Sequence, residues 1–129
     1  MTDLRLLREL ISRDSPTGFT DAAIELVETE LRALGLDPVR TRKGALRCAL
    51  GPRPRLAIAA HVDTLGAVVS KTRADGTLGI SPVGGLSLNM AEGEYVTIHT
   101  LGGRTYSGTF LLRNPSAHAN KELGRTERT

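Results

Sequence analysis

The chain has 129 residues, of which 40% are apolar, 24% charged and 3% aromatic with no Trp, and its 17 basic against 14 acidic residues give a formal charge of +3. That length suffices for one domain with its own core or for two small ones. So few aromatics exclude a stacking platform for single-stranded nucleic acid. No apolar run approaches the roughly 20 residues that a membrane-spanning helix needs. Neither nucleic acid nor a membrane is therefore expected as a partner. A single cysteine, Cys48, excludes an intramolecular disulfide and reads as a small core residue beside Arg47. The N-terminus mixes acids and bases among its leucines and shows no signal-peptide core, so a cytoplasmic protein is expected.

In chain order, Leu4, Leu7 and Ile11 recur at helical spacing, with Leu6 and Leu10 widening the stripe, and predict a short amphipathic helix. Ser15-Pro16-Thr17-Gly18 breaks it. A second helix is predicted from Thr20 as N-cap, with Asp21 in its first turn, an apolar face of Ile24, Val27, Leu31 and Leu34, and Gly35 just past its end. After Asp37-Pro38 the period shortens. Residues 39–41, 45–50 and 56–60 read as three strands of a sheet carrying the two helices, with turns at Gly44 and Pro52-Arg53-Pro54. The basic residues Arg40, Arg42, Lys43, Arg47, Arg53 and Arg55 fall here and read as a solvated face rather than a phosphate site. Residues 67–72 and 78–81 form a predicted strand pair around Ala74-Asp75-Gly76, and 95–100 and 105–111 another around Leu101-Gly102-Gly103-Arg104. From Asn114 to Thr129 the chain is polar and reads as an exposed or disordered tail.

The candidate chemistry lies at His61-Val62-Asp63, where the apolar run Leu56-Ala57-Ile58-Ala59-Ala60 ends. Ligands gather at the C-terminal ends of strands in open α/β sheets. A His there offers one ring nitrogen to a metal while a nearby carboxylate holds the other N–H. On spacing alone, an ordinary strand exit that happens to carry a His and an Asp is the competing reading. A metal site takes about three protein ligands, and this motif offers one.

The order of several segments resembles one family. Ser15-Pro16-Thr17-Gly18-Phe19-Thr20-Asp21 is similar to its opening Pro-Ser-x-Ser-Gly-x-Glu turn, and the run from Leu56 to Gly66 to its first metal-ligand strand. The stretches Glu92 to Ile98 and Gly103 to Thr109 resemble strands of its inserted PDZ-like domain, and Asn114-Pro115-Ser116-Ala117-His118 its Pro-Pro-His segment. This is the dinuclear metallo-aminopeptidase family of glutamyl and deblocking aminopeptidases and TET particles, some of which carry an endoglucanase label. The resemblance implies an α/β fold: residues 1–66 as the start of a metallopeptidase sheet domain, 67–113 as a partial PDZ-like β insert, and 114–129 as the polar tail. It implies His61 as ligand to one of two divalent ions, zinc or cobalt, and Asp63 as the carboxylate orienting it. It also implies a peptide or small-amide substrate and a homo-oligomer. In that family the general base and remaining ligands lie further along the sequence, so this chain is expected to be an N-terminal fragment without activity of its own.

Thr64 stands where the family usually has Glu. His-x-Asp-Thr is typical of the related carboxypeptidase and desuccinylase metallohydrolases, the second enzyme reading, which would place helices after residue 67. A third reading is a non-catalytic β-module for assembly or peptide binding. Other candidates have plainer explanations. His99 sits in an alternating strand, His118 in a polar segment, and Glu25, Glu28 and Glu30 on the polar side of the second helix. Gly84-Gly85 and Gly102-Gly103 lack the setting of a phosphate loop, and Ser87, Ser107 and Ser116 lack a nucleophile elbow.

Overall fold

The computed structural model describes residues 4–111. Two helices come first, α1 (Leu4–Ile11) and α2 (Asp21–Ala33). The end of α2 follows from one residue. Gly35 adopts φ 75°, the left-handed region open to glycine. Its N–H then bonds the Arg32 carbonyl at 2.9 Å, and the Leu36 N–H bonds that of Leu31 at 3.1 Å, the paired closure of a Schellman turn. At the other end Thr20 occupies the N-cap position but makes no side-chain cap bond, because its backbone is already near-helical (φ −103°, ψ 0°).

On both helices the predicted apolar stripe is turned inward only in part. On α1, Leu4, Leu7 and Ile11 are exposed, while Leu6 and Leu10 are half-buried. Arg5 bridges Glu9 at 3.0 Å on its own helix and Glu30 of α2 at 2.8 Å. On α2 the buried residues are Ala23 and Leu26, with Ile24, Val27 and Leu31 half-buried and Leu34 exposed. A small residue, Ala23, permits the closest approach, so it sits deepest.

Among the described residues, six strands follow as three antiparallel pairs. β1 (Val39–Arg40) pairs with β2 (Leu46–Arg47) around a turn in which Gly44 takes φ 84° and the Thr41 hydroxyl accepts the Ala45 N–H at 3.1 Å. The third strand expected in this sheet is absent. Residues 56–60 carry no ladder, and Leu56 and Ile58 are 79% and 91% exposed. A run without a polar face needs cover on both sides and a paired backbone to be a sheet strand, and the described residues supply neither. The sheet is thus a two-stranded ribbon, and the fold is α/β in the sense of two helices with small antiparallel sheets.

β3 (Gly66–Thr72) and β4 (Leu78–Val83) form the hairpin predicted there, with a bulge between Val69 and Lys71. Its turn is set by Asp75, whose Oδ1 accepts the Thr77 N–H at 3.0 Å and the Thr77 hydroxyl at 2.7 Å. β5 (Tyr95–His99) and β6 (Thr105–Thr109) form the second hairpin, after a single 3-10 turn at Leu88–Met90. The chain divides into two compact units, Met1–Gly85 and Leu86–Thr129. The first holds both helices and β1 to β4. The second holds the 3-10 turn, β5 and β6, with Ala91 buried. The predicted polar tail, Ser116 and His118 lie outside the described residues.

Candidate functional site

Three residues of the broken turn after α1 clasp the segment that follows the apolar run. Ser15, only 1% exposed, donates its hydroxyl to the Val62 carbonyl at 2.8 Å, and its own carbonyl accepts the Thr64 N–H at 2.8 Å. Pro16 forms a parallel bridge with Thr64. Thr17 donates its hydroxyl to Asp63 Oδ2 at 2.6 Å. The backbone on both sides of Asp63, and one oxygen of its side chain, are thereby fixed by residues 46 to 49 positions away. Gly66 makes the approach possible, since a Cβ there would lie 2.6 Å from Pro16 Cβ, closer than two such atoms can come.

Asp63 then meets His61. Its Oδ1 lies 2.9 Å from His61 Nδ1, and its backbone carbonyl lies 3.2 Å from the same nitrogen. An ionised carboxylate only accepts, so Nδ1 is the donor and the neutral ring carries its lone pair on Nε2. The Thr17 hydroxyl, and after it the His61 N–H, hold the Asp63 carboxyl below its ordinary pKa and keep it ionised. The His61 side chain is 82% exposed, so Nε2 is open to a ligand arriving from solvent. Sequence reasoning singled out His61 and Asp63, and the structure pairs them through Nδ1 and Oδ1. It did not find roles for Ser15, Thr17 or Gly66. No linear pattern links them to Asp63, although Ser15-Pro16-Thr17 was already visible as a turn of hydroxyl residues.

The remaining candidates sort by their neighbours. Glu28 receives Arg40 at 2.7 Å and Arg32 at 3.0 Å, and these bonds, Arg40 first, lower its carboxyl pKa. Arg40 also faces Asp21 at 3.7 Å and Glu25 at 4.0 Å. The acids of α2 are thus ion-paired as well as solvated, and Arg40 drops out of the basic face because acids surround it. His99 is exposed on β5, and Cys48 is a half-buried free thiol. Among the described residues, no group of three or more His, Cys, Asp and Glu side chains is placed to hold a metal ion. None of their helices is long and apolar enough to cross a membrane.

Residues 44–129 match the family described as M42 glutamyl aminopeptidase. The chain belongs to that family. Over 128 residues it is 41% identical to the YhfE protein of Bacillus subtilis (strain 168), named as an aminopeptidase, covering 97% of this chain and 37% of that protein. It is 26% identical over 102 residues to the glutamyl aminopeptidase of Lactococcus lactis subsp. cremoris (strain MG1363), covering 76% of this chain and 29% of that one. The fold is similar to the crystal structure of a TET aminopeptidase from the marine sediment archaeon Thaumarchaeota archaeon SCGC AB-539-E09, with TM-score 0.78 and 24% identity over 87% of this chain and 32% of the other. This M42 chain thus spans about a third of the length of these relatives. Membership also bears on the carboxypeptidase and desuccinylase reading. That reading expects helices after residue 67, whereas residues 67–111 form β3 to β6 and one 3-10 turn.

Proposed function

We propose that this chain carries the first metal ligand of a metal-dependent M42 aminopeptidase, the parent protein removing N-terminal residues from peptides or cleaving a small amide. The observation that carries the reading is the 2.9 Å pair of His61 and Asp63, with Nε2 exposed, in a chain of this family. His61 would hold one of two divalent ions, zinc or cobalt, and Asp63 would keep its ring in the ligating tautomer. When bound, such ions supply Lewis-acid activation of water and of the scissile carbonyl. The chain's own residues contribute orientation: Asp63 accepts a hydrogen bond from Nδ1–H, and Ser15 and Thr17 keep Asp63 in place.

A catalytic zinc takes about three protein ligands, and the described residues bring one imidazole with its carboxylate. The 129-residue chain is therefore expected to be inactive alone. Pure chain should not turn over aminoacyl-p-nitroanilides, and turnover abolished by chelation would overturn that. In the full-length protein that carries this chain, H61A should abolish activity and lose most of one equivalent of bound metal. Unchanged metal content in that variant would refute the ligand assignment. Residues 67–113 are proposed as part of a PDZ-like β insert, in line with their exclusively β and 3-10 structure through residue 111, and the protein as cytoplasmic.

One observation favours an assembly role beside the catalytic one. Val68 and Val69 of β3 are 55% and 43% exposed on a two-stranded hairpin whose outer backbone edges are unpaired within its sheet. A homo-oligomer formed through this hairpin should appear in light scattering as a mass that rises with concentration, and V68K should lower it. A monomer at all concentrations would remove this role.

A further inference from the structure

We propose that Thr17 is a positioning residue for His61: its hydroxyl, on Asp63 Oδ2 at 2.6 Å, turns the other carboxylate oxygen onto His61 Nδ1 and so fixes the ring as the Nδ1–H tautomer with Nε2 presented outward. The proposal rests on the reading of His61 as a ligand for its purpose, though not for its geometry. A carboxylate on a short side chain has two torsions, and a single bond from Oδ1 to an imidazole leaves the group free to swing. Each oxygen of Asp63 has one side-chain partner, one near in sequence and one far. The far partner is the one that ties the pair to the rest of the fold. Ser15 acts beneath it. Its buried hydroxyl and its carbonyl hold the backbone at Val62 and Thr64, so Asp63 projects toward Thr17 from a fixed base. Without the Thr17 bond, the carboxylate would rotate, and the exposed ring would redistribute toward the Nε2–H tautomer that histidine prefers in water, in which Nε2 has no lone pair to give a metal.

The tautomer can be read without any metal. Long-range proton–nitrogen NMR of the 129-residue chain, recorded where the spectrum itself shows a neutral ring, distinguishes a protonated from an unprotonated ring nitrogen. The wild-type His61 should show a protonated Nδ1 and an unprotonated Nε2. T17V keeps the shape and removes the hydroxyl. It should shift the two nitrogens toward each other as the tautomers mix, and T17S should restore the wild-type pattern. A purely structural Thr17 would move neither nitrogen. A T17V spectrum with unchanged backbone signals and a wild-type ring would overturn the proposal, as would a folded T17S without rescue. If T17V failed to fold, the wild-type chain would decide: the Thr17 hydroxyl proton should be slowed in exchange with water, and a freely exchanging one would overturn the proposal. Because no metal is present, failure of this experiment is separate from failure of the ligand reading, which the metal content of H61A decides.

Discussion

Two neighbouring stretches of this chain are held in opposite ways. Residues 56–60 are apolar throughout, yet they have no ladder partner among the described residues and stand open to solvent. Residues 61–66 are more polar, yet the turn after α1 pins them at Val62, Asp63 and Thr64 and packs against them at Gly66. Hydrophobicity states a preference for burial but does not create the surface that would satisfy it. A hydroxyl, a carboxylate and a carbonyl at the right separation need only one another. The geometry at His61 therefore comes from specific polar bonds, while the apolar run leading into it is left with its side chains exposed.

The sharpest way to break this comparison is G66A. Its methyl would meet Pro16 at 2.6 Å, and relief of such overpacking typically costs about 1–3 kcal/mol. Urea unfolding should show that loss, with the Thr17 to Asp63 bond opened in the surviving folded state. S15A comes next. It leaves the Val62 carbonyl without its hydroxyl donor, an effect of about 1 kcal/mol on the same assay. A variant as stable as the wild type would mean that the pinning is incidental.

The turn at Asp75 supplies a local control, with the same hydroxyl-to-carboxylate bond made between residues two apart. The Thr77 hydroxyl, followed by the Thr77 N–H, lowers the Asp75 carboxyl pKa. A carboxylate with a depressed folded pKa adds stability that is present above its unfolded pKa and is lost as pH falls through the folded value. T77A should therefore be less stable than the wild type at neutral pH, and the difference should narrow as pH falls through the Asp75 pKa, leaving only the bond that the Thr77 hydroxyl accepts from Arg73. A difference independent of pH would assign the effect to the turn backbone instead. The smallest expected effect is I58K. At 91% exposure the change should stay within about 0.5 kcal/mol. A large, concentration-dependent loss would reveal that another copy covers the run in solution.

What was legible in the sequence is what closes locally. Gly35 ends α2, Asp75-Gly76 and Gly102-Gly103 turn the two hairpins, and the pairings of β3 with β4 and β5 with β6 fall where the turn residues put them. The inward faces of α1 and α2 were legible only in part, because a stripe of large residues shows only which side could be buried. Leu7 and Ile11 are exposed while Ala23 is buried. Residues 56–60 misled for the same reason, as a strand is defined by a neighbour that the run itself does not contain. At the site, His61 and Asp63 were visible because they stand two positions apart. Thr17 was not, because the bond it makes spans 46 residues.

That span has a kinetic meaning. Ser15 and Val62 close a loop of 47 residues, whereas α2 and both hairpins need only contacts within their own turns. Loop closure over such a distance carries an entropy that local elements do not pay, and long-range contacts form after local ones. The imidazole is therefore expected to acquire its orientation last, and to lose it first when the chain opens. Under mild denaturant the His61 ring signals should scramble while helical circular dichroism still persists, making this one side chain a gauge of whether the distant turn has docked.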